Sequence, residues 1–132
     1  MELNERRLVS SGGAWEEMVG YSRAVRVGNL VWVAGTTAAD GHGGAVGGSD
    51  IAAQTREILH RIEAALQEAG ASLSDVVRTR IYVTDIARWE EVGRVHGEVF
   101  GDIRPAATMV EVSALIDEAL LVEIEAEART GA

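Results

Sequence analysis

One segment, residues 21–36, constrains this chain more than any other. Two runs of strand-forming residues, 21–27 and 30–36, flank Gly28-Asn29, a pair suited to the positive-φ positions of a two-residue turn, so the segment reads as a β-hairpin. Such a turn fixes the register: Val27 opposite Leu30, Val25 opposite Trp32, Arg23 opposite Ala34 and Tyr21 opposite Thr36. These eight side chains share one face because side chains alternate along a strand, and Tyr21 and Arg23 therefore point the same way. Leu30-Val31-Trp32-Val33-Ala34 is apolar at every position, the pattern of a strand covered on both faces.

The rest of the chain supplies covers for one face only. Residues 41–48, GHGGAVGG, place valine where G-x-G-x-x-G needs its third glycine, and no Gly-Lys-Ser/Thr follows; they read as a flexible connection with His42 solvated. Ser49 or Asp50 caps a helix whose Ile51, Thr55, Ile58, Leu59, Ile62, Leu66 and Ala69 recur at three- and four-residue intervals until Gly70 stops it. His60 falls on its polar side beside Arg56, Glu57, Arg61 and Glu63 and reads as a surface histidine. Residues 76–84 form a strand in which Val77, Thr79, Ile81 and Val83 alternate with Arg78, Arg80 and Tyr82. Residues 86–100 form a second helix with Trp89, Val92, His96, Val99 and Phe100 on one stripe, His96 as a hydrogen-bonded packing residue. Arg104-Pro105 ends that helix, and residues 107–112 and 121–128 are strands; in the last, Val122, Ile124 and Ala126 alternate with Glu123, Glu125 and Glu127. The expected fold is α+β, in the order β-β-α-β-α-β-β, with two helices packed on one face of a mixed sheet. Residues 1–18 form an N-terminal segment and 19–132 a single domain, which the length of 132 residues fits. The second sheet face needs a cover that self-association can provide.

Composition narrows the chemistry. With no cysteine there is no disulfide, thiolate metal site or cysteine nucleophile. All 12 basic residues are arginine, which removes Schiff-base chemistry and the phosphate-binding lysine of P-loops. No catalytic triad, H-E-x-x-H, paired metal spacing or G-x-S-x-G is present. A net charge of −9 opposes nucleic-acid binding. The first 30 residues contain no apolar signal segment and no stretch approaches a membrane span, so a soluble cytoplasmic protein with neither nucleic acid nor membrane as partner is expected. Two features remain: the glutamate row 123, 125, 127 and the hairpin face bearing Tyr21 and Arg23. The row reads as a solvated face balanced by Arg78 and Arg80 on a neighbouring strand. A single glutamate at a subunit seam would differ, because partial burial raises a carboxyl pKa and lets it trade protons near neutral pH.

The run Val19-Gly20-Tyr21-Ser22-Arg23-Ala24-Val25-Arg26-Val27-Gly28-Asn29-Leu30-Val31-Trp32-Val33-Ala34-Gly35 resembles the signature of the Rid (YjgF-like) family of enamine and imine deaminases. So do Asp50-Ile51-Ala52-Ala53-Gln54-Thr55, the stretch from Ala69 to Val77, and Arg104-Pro105-Ala106-Ala107-Thr108 with Val122-Glu123-Ile124-Glu125-Ala126; the resemblance spans about residues 19–128. It implies a chorismate-mutase-like fold and a homotrimer with ligand clefts at the subunit interfaces. Family members hydrolyse 2-imino acids or their enamine tautomers to 2-keto acids and ammonia without metal or organic cofactor. The family's carboxylate clamp is the arginine of Pro-x-Arg-Ser/Thr, and Ala107 stands in its place here. Tyr21 matches the family tyrosine though no proline precedes it, Gly35 matches a backbone contact, and Glu123 matches the glutamate that positions water; Gly93 stands where a deaminase has asparagine. The expectation is a divergent, deaminase-like hydrolase acting on a small reactive metabolite, with Glu123 catalytic and Tyr21, Arg23, Gly35, Ala107 and Thr108 lining the intersubunit cleft. The alternative is a non-catalytic small-molecule binding or regulatory trimer; the ribonuclease activity attached to some family names is disfavoured by the charge. Arg23, where the family often has glutamine, is expected either to replace the lost anion contact or to form a structural salt bridge to Glu123 or another acidic side chain of a neighbouring strand.

Overall fold

The computed structural model describes residues 5–131; residues 1–4 and 132 of the two spans drawn from the sequence lie outside them. Strands β1 (Arg6–Val9), β2 (Ala24–Val27), β3 (Leu30–Thr36), β4 (Val76–Val83), β5 (Ala106–Glu111) and β6 (Val122–Arg129) form one sheet in the order β1-β2-β3-β6-β4-β5. All neighbours are antiparallel except β4 and β5, whose parallel pairing requires the crossover that helix α3 (Trp89–Phe100) provides. The expected element order holds from the hairpin onward. Ahead of it the chain adds β1 and the short helix α1 (Ala14–Val19), elements of 4 and 6 residues that are too short to show a period.

The Gly28-Asn29 turn sets the expected register, Val27 against Leu30 and Val25 against Trp32. The far end of the hairpin departs from it. Helix α1 ends at Gly20, in the left-handed region with φ 88°, and both the Gly20 and Tyr21 N–H groups donate to the Glu16 carbonyl. Tyr21 thus belongs to a helix terminus, and β2 begins at Ala24 rather than at residue 21. Thr36 does not share the Arg23 face either: the register of β3 against β6 shifts between Val33 and Thr36, and Thr36 turns into the core. A second irregularity, between Val76 and Arg78, buries Val76 and leaves Val77 exposed, reversing the inward direction expected for Val77.

Helix α2 (Ile51–Glu68) is capped by Asp50, whose carboxylate accepts from the Ala52 and Ala53 N–H groups, and Gly70 follows its end with φ 82°. It packs Ile51, Ile58, Leu59, Ile62 and Leu66 against the sheet. Beside it α3 buries Val92, Val95 and Phe100. Trp89, the first residue of α3 after the 3-10 turn of residues 86–88, leaves the expected stripe and is 53% exposed, while Val95 is buried. Fully buried Gln54 ties the loops to this layer: its Nε2 donates to the Gly48 and Ala119 carbonyls at 2.7 and 2.9 Å, and its Oε1 accepts from Leu121 N–H at 3.0 Å. Both long helices lie on one face. On that side Val31 and Val33 are 0% and 3% exposed, whereas Leu30 and Trp32 on the opposite side are 44% and 41% exposed.

Candidate functional site

The backbone irregularity of β3 creates the site. Where the strand shifts register, Gly35 brings its bare Cα against the Glu123 carboxylate of β6, and a Cβ there would overlap that carboxylate. Glu123 has no hydrogen-bond partner among the described residues. Burial pushes its carboxyl above the usual range; nearby Arg23 restrains the rise and Glu125 adds to it. The Arg23 Nη2 donates to the Gly35 carbonyl at 2.7 Å, and its guanidinium lies 5.7 Å from the centre of the Tyr21 ring. One chain therefore gathers Tyr21, Arg23, Gly35 and Glu123. The ion pairs of the described residues involve Arg56, Arg61, Arg80, Arg88 and Arg94, and the expected salt bridge between Arg23 and Glu123 is not among them.

The other two glutamates of the row follow the solvated-face reading. Arg80 pairs with Glu127 at 2.5 Å and Glu125 at 3.9 Å. The Tyr82 hydroxyl donates to Glu125 at 2.7 Å, a bond that raises the phenol's pKa. Arg78 does not join them: it is opposite Glu127 in register, but its Nη2 donates to the Thr108 hydroxyl at 3.0 Å on the neighbouring edge strand.

Ala107 and Thr108 lie on β5, opposite Thr79 and Arg80. Strands β3, β6 and β4 separate β5 from β2, four spacings of about 4.8 Å or roughly 19 Å in all. The fold of one chain does not bring these two residues to Tyr21 and Arg23.

A cavity of about 320 Å³ opens beside Tyr21 and Arg23, and its wall includes Trp15, Glu16, Arg61 and Asp117, none of which the sequence reading placed at a site. Glycines 41, 43 and 44 of the glycine-rich loop also border it, and Asp40 shapes that loop by accepting from the His42 and Gly44 N–H groups at 2.7 and 3.1 Å. Glu16 is buried. Burial works to raise its carboxyl, but hydrogen bonds from Ser11 and Ser10, with Arg23 nearby, hold it below the usual range. The only sequence signal for this corner is Ser10-Ser11 shortly before an acidic residue, a pattern shared with many helix starts.

The histidines stand apart from the site. His42 and His60 are exposed. His96 Nε2 meets the Thr79 hydroxyl at 2.9 Å and its ring packs on Phe100, the hydrogen-bonded packing role expected of it, and burial lowers its pKa. Among the described residues no group of three or more acidic or histidine side chains is arranged to hold a metal ion, and no helix is long and apolar enough to cross a membrane.

Comparison with known proteins follows the same geometry. The model of the family described as Endoribonuclease L-PSP matches residues 13–130. A RutC family protein of Pyrococcus abyssi is 42% identical over 106 residues, 80% of this chain and 83% of the relative. The 3-aminoacrylate deaminase RutC of Acinetobacter baylyi is 32% identical over 116 residues, 88% of this chain and 92% of the relative. Among solved structures, a Mycobacterium tuberculosis member of the highly conserved YjgF/YER057c/UK114 family is 63% identical and superposes with a TM-score of 0.88, covering 96% of this chain and 100% of that one.

Proposed function

The chain belongs to the YjgF-like Rid family and has its chorismate-mutase-like α+β fold, and from that premise we propose that it is a homotrimer hydrolysing a small, carboxylate-bearing enamine or imine in an intersubunit cleft. Glu123 carries the reading. It is a carboxylate without a hydrogen-bond partner among the described residues, raised by burial and seated on the bare Cα of Gly35, beside Arg23. A carboxyl so raised is a stronger base than an ordinary carboxylate and can take up and return a proton within the cleft.

The chemistry balances with that one group. The enamine takes a proton at carbon from the protonated Glu123 carboxyl and becomes the iminium, leaving Glu123 as the carboxylate. Glu123 accepts a proton from water as the water oxygen bonds to the iminium carbon and the C=N π pair moves to nitrogen; Glu123 returns that proton to the amine, which leaves as ammonia with the C–N electron pair. The remaining hydroxyl loses its proton and becomes the carbonyl. The relative from Acinetobacter is named for an enamine of this kind, 3-aminoacrylate. Arg23, lying over Tyr21, supplies the anion contact for which Ala107 has no side chain, and Ala107 and Thr108 reach the cleft from a neighbouring subunit. The half-exposed Leu30 and Trp32 on the uncovered sheet face favour that assembly. We place the protein in the cytoplasm, without metal or organic cofactor. The net charge of −9 weighs against RNA as substrate despite the family's description.

Ala107 favours a second reading, a trimer that binds a small molecule without turning it over. One assay separates the two. A PLP-dependent dehydratase generates imino acids and semicarbazide traps what remains. Under the hydrolytic reading the wild type lowers the trapped fraction and Glu123→Gln does not. If the wild type leaves the trapped fraction unchanged, the hydrolytic reading fails.

A further inference from the structure

Helix α1 leads directly into Tyr21, and its six residues are too few to hold a helix together alone. A helix on a protein surface is normally pinned by an apolar stripe turned toward the core. Here the core contains no residue of α1, and Met18 and Val19 are 81% and 68% exposed. The one buried side chain of α1 is Glu16, 7% exposed. A carboxylate therefore anchors the helix. Its Oε1 accepts from the Ser10 hydroxyl at 3.1 Å, its Oε2 accepts from the Ser11 hydroxyl, and the Ser11 N–H donates between the two oxygens at 3.3 Å from each. Gly13 makes room for this contact, since a Cβ there would stand 3.2 Å from Oε2.

The main chain of the same residue holds the far end of the helix. The Glu16 carbonyl accepts from Gly20 N–H at 2.9 Å and from Tyr21 N–H at 3.0 Å, while Arg23 N–H donates to the Val9 carbonyl at 2.8 Å. Residues 9–11 thus hold Arg23 directly and Tyr21 through Glu16, and the Arg23 guanidinium meets the Tyr21 ring where these two connections converge. Hydrogen bonds to a carboxylate fix direction as well as distance, so this anchor sets an orientation that apolar packing would leave loose. We infer that Glu16 is a positioning residue for the cleft: bound to Ser10 and Ser11, it sets where the Tyr21 ring stands beside Arg23, and it acts through that ring rather than on the substrate. Its effect on turnover rests on the reading of Tyr21 and Arg23 as cleft residues; the placement of the ring does not. Because α1 adds nothing to the core, the sheet and the two long helices should survive loss of the anchor.

The test reads Tyr21 directly. The chain has two tyrosines, so labelling with 3-fluorotyrosine gives a fluorine line for each; Tyr82→Phe assigns them, and Tyr82 on β4 serves as internal reference. In Glu16→Ala the Tyr21 line is expected to move toward that of free 3-fluorotyrosine while the Tyr82 line stays, in a protein that melts as the wild type does. Glu16→Gln keeps the length and one acceptor oxygen and is expected to move the Tyr21 line less. In the semicarbazide assay Glu16→Ala is expected to lower kcat/KM by about tenfold or more, with no further loss when it is added to Tyr21→Ala. A Tyr21 line that does not move in Glu16→Ala overturns the inference. So does a Tyr82 line that moves as far, or a protein that fails to fold, because Glu16 would then hold the fold rather than the cleft. In an active enzyme, unchanged kcat/KM or a full additional loss in the Tyr21→Ala background overturns it as well. A wild type without turnover removes the hydrolytic reading, and the fluorine lines then decide the placement alone; an active wild type with an unmoved Tyr21 line removes only this inference.

Discussion

Glu123, Glu125 and Glu127 carry the same side chain on the same strand face and differ only in their neighbours. Arg80 and Tyr82 hold the latter two, whereas Glu123 has the bare Cα of Gly35 and the more distant charge of Arg23. Its raised pKa means that ionisation is harder in the folded chain than in the unfolded one. Stability from the protonated form is complete below the ordinary value of 4.5 and is lost as pH rises through the native pKa. Glu123→Gln should therefore melt higher than the wild type near pH 8, with the gain vanishing below about pH 4.5; calorimetric scans at the two pH values check this. A lower melting temperature near pH 8 would show that the fold stabilises the carboxylate instead. Gly35→Ala tests the same contact from the other side. Gly35 is not in the left-handed region, and the atoms its Cβ would meet are the flexible end of Glu123, so the protein should fold with stability within about 1 kcal/mol of the wild type. Displacing the carboxylate should nonetheless lower imine hydrolysis by about a hundredfold, read in the semicarbazide assay. Tyr21, Gly35 and Glu123 were singled out by the family signature, and Arg23, which stands where the family often has glutamine, by the two-residue period it was expected to share with Tyr21. Trp15, Arg61 and Asp117 were not, because three separate elements bring them together and no local spacing records it.

Elements whose determinants are local were read with nearly their observed bounds. The Gly28-Asn29 turn fixes its own register, and Asp50 and Gly70 bracket a helix whose apolar spacing lies entirely within it. What escaped depends on partners distant in sequence: β1 exists by pairing with β2, and the register shifts at Gly35 and Val77 exist only against β6. The docking of α3 on β4 belongs to this second kind, since Thr79 and His96 stand 17 residues apart and meet at 2.9 Å. Thr79→Val leaves a half-buried imidazole nitrogen without its partner and should cost about 1–3 kcal/mol in urea unfolding at neutral pH. Burial also keeps the native His96 pKa below 6.5, so the unfolded chain takes the proton first. Stability from the neutral ring is complete above 6.5 and is lost as pH falls through the native value. The wild type should accordingly lose stability on the acid side of 6.5, and His96→Gln should flatten that limb of the pH profile.

At the scale of the whole molecule, the sheet carries its exposed apolar residues and its scattered cleft residues for one reason if three copies close on one another. Leu30 and Trp32 lie on the face the helices leave open, and β5 lies four spacings from β2, so a cleft shared by Tyr21 and position 107 would have to draw them from different copies. Light scattering should give about three times the chain mass of 14.0 kDa. A mass of one chain would remove the shared cleft with the assembly. Ala107→Arg then probes both at once. Position 107 is exposed on an edge strand, so the longer side chain should fold without penalty, and a charge-assisted anchor for the substrate carboxylate should raise kcat/KM on imino acids derived from serine or threonine by about tenfold or more. If the arginine serves the cleft of a neighbouring copy and Trp32 lies in the seam, Trp32→Asp should both dissociate the trimer and erase the gain. A gain that survives in a monomeric Ala107→Arg, Trp32→Asp protein would mean that residue 107 acts within its own chain, which the roughly 19 Å across the sheet forbids.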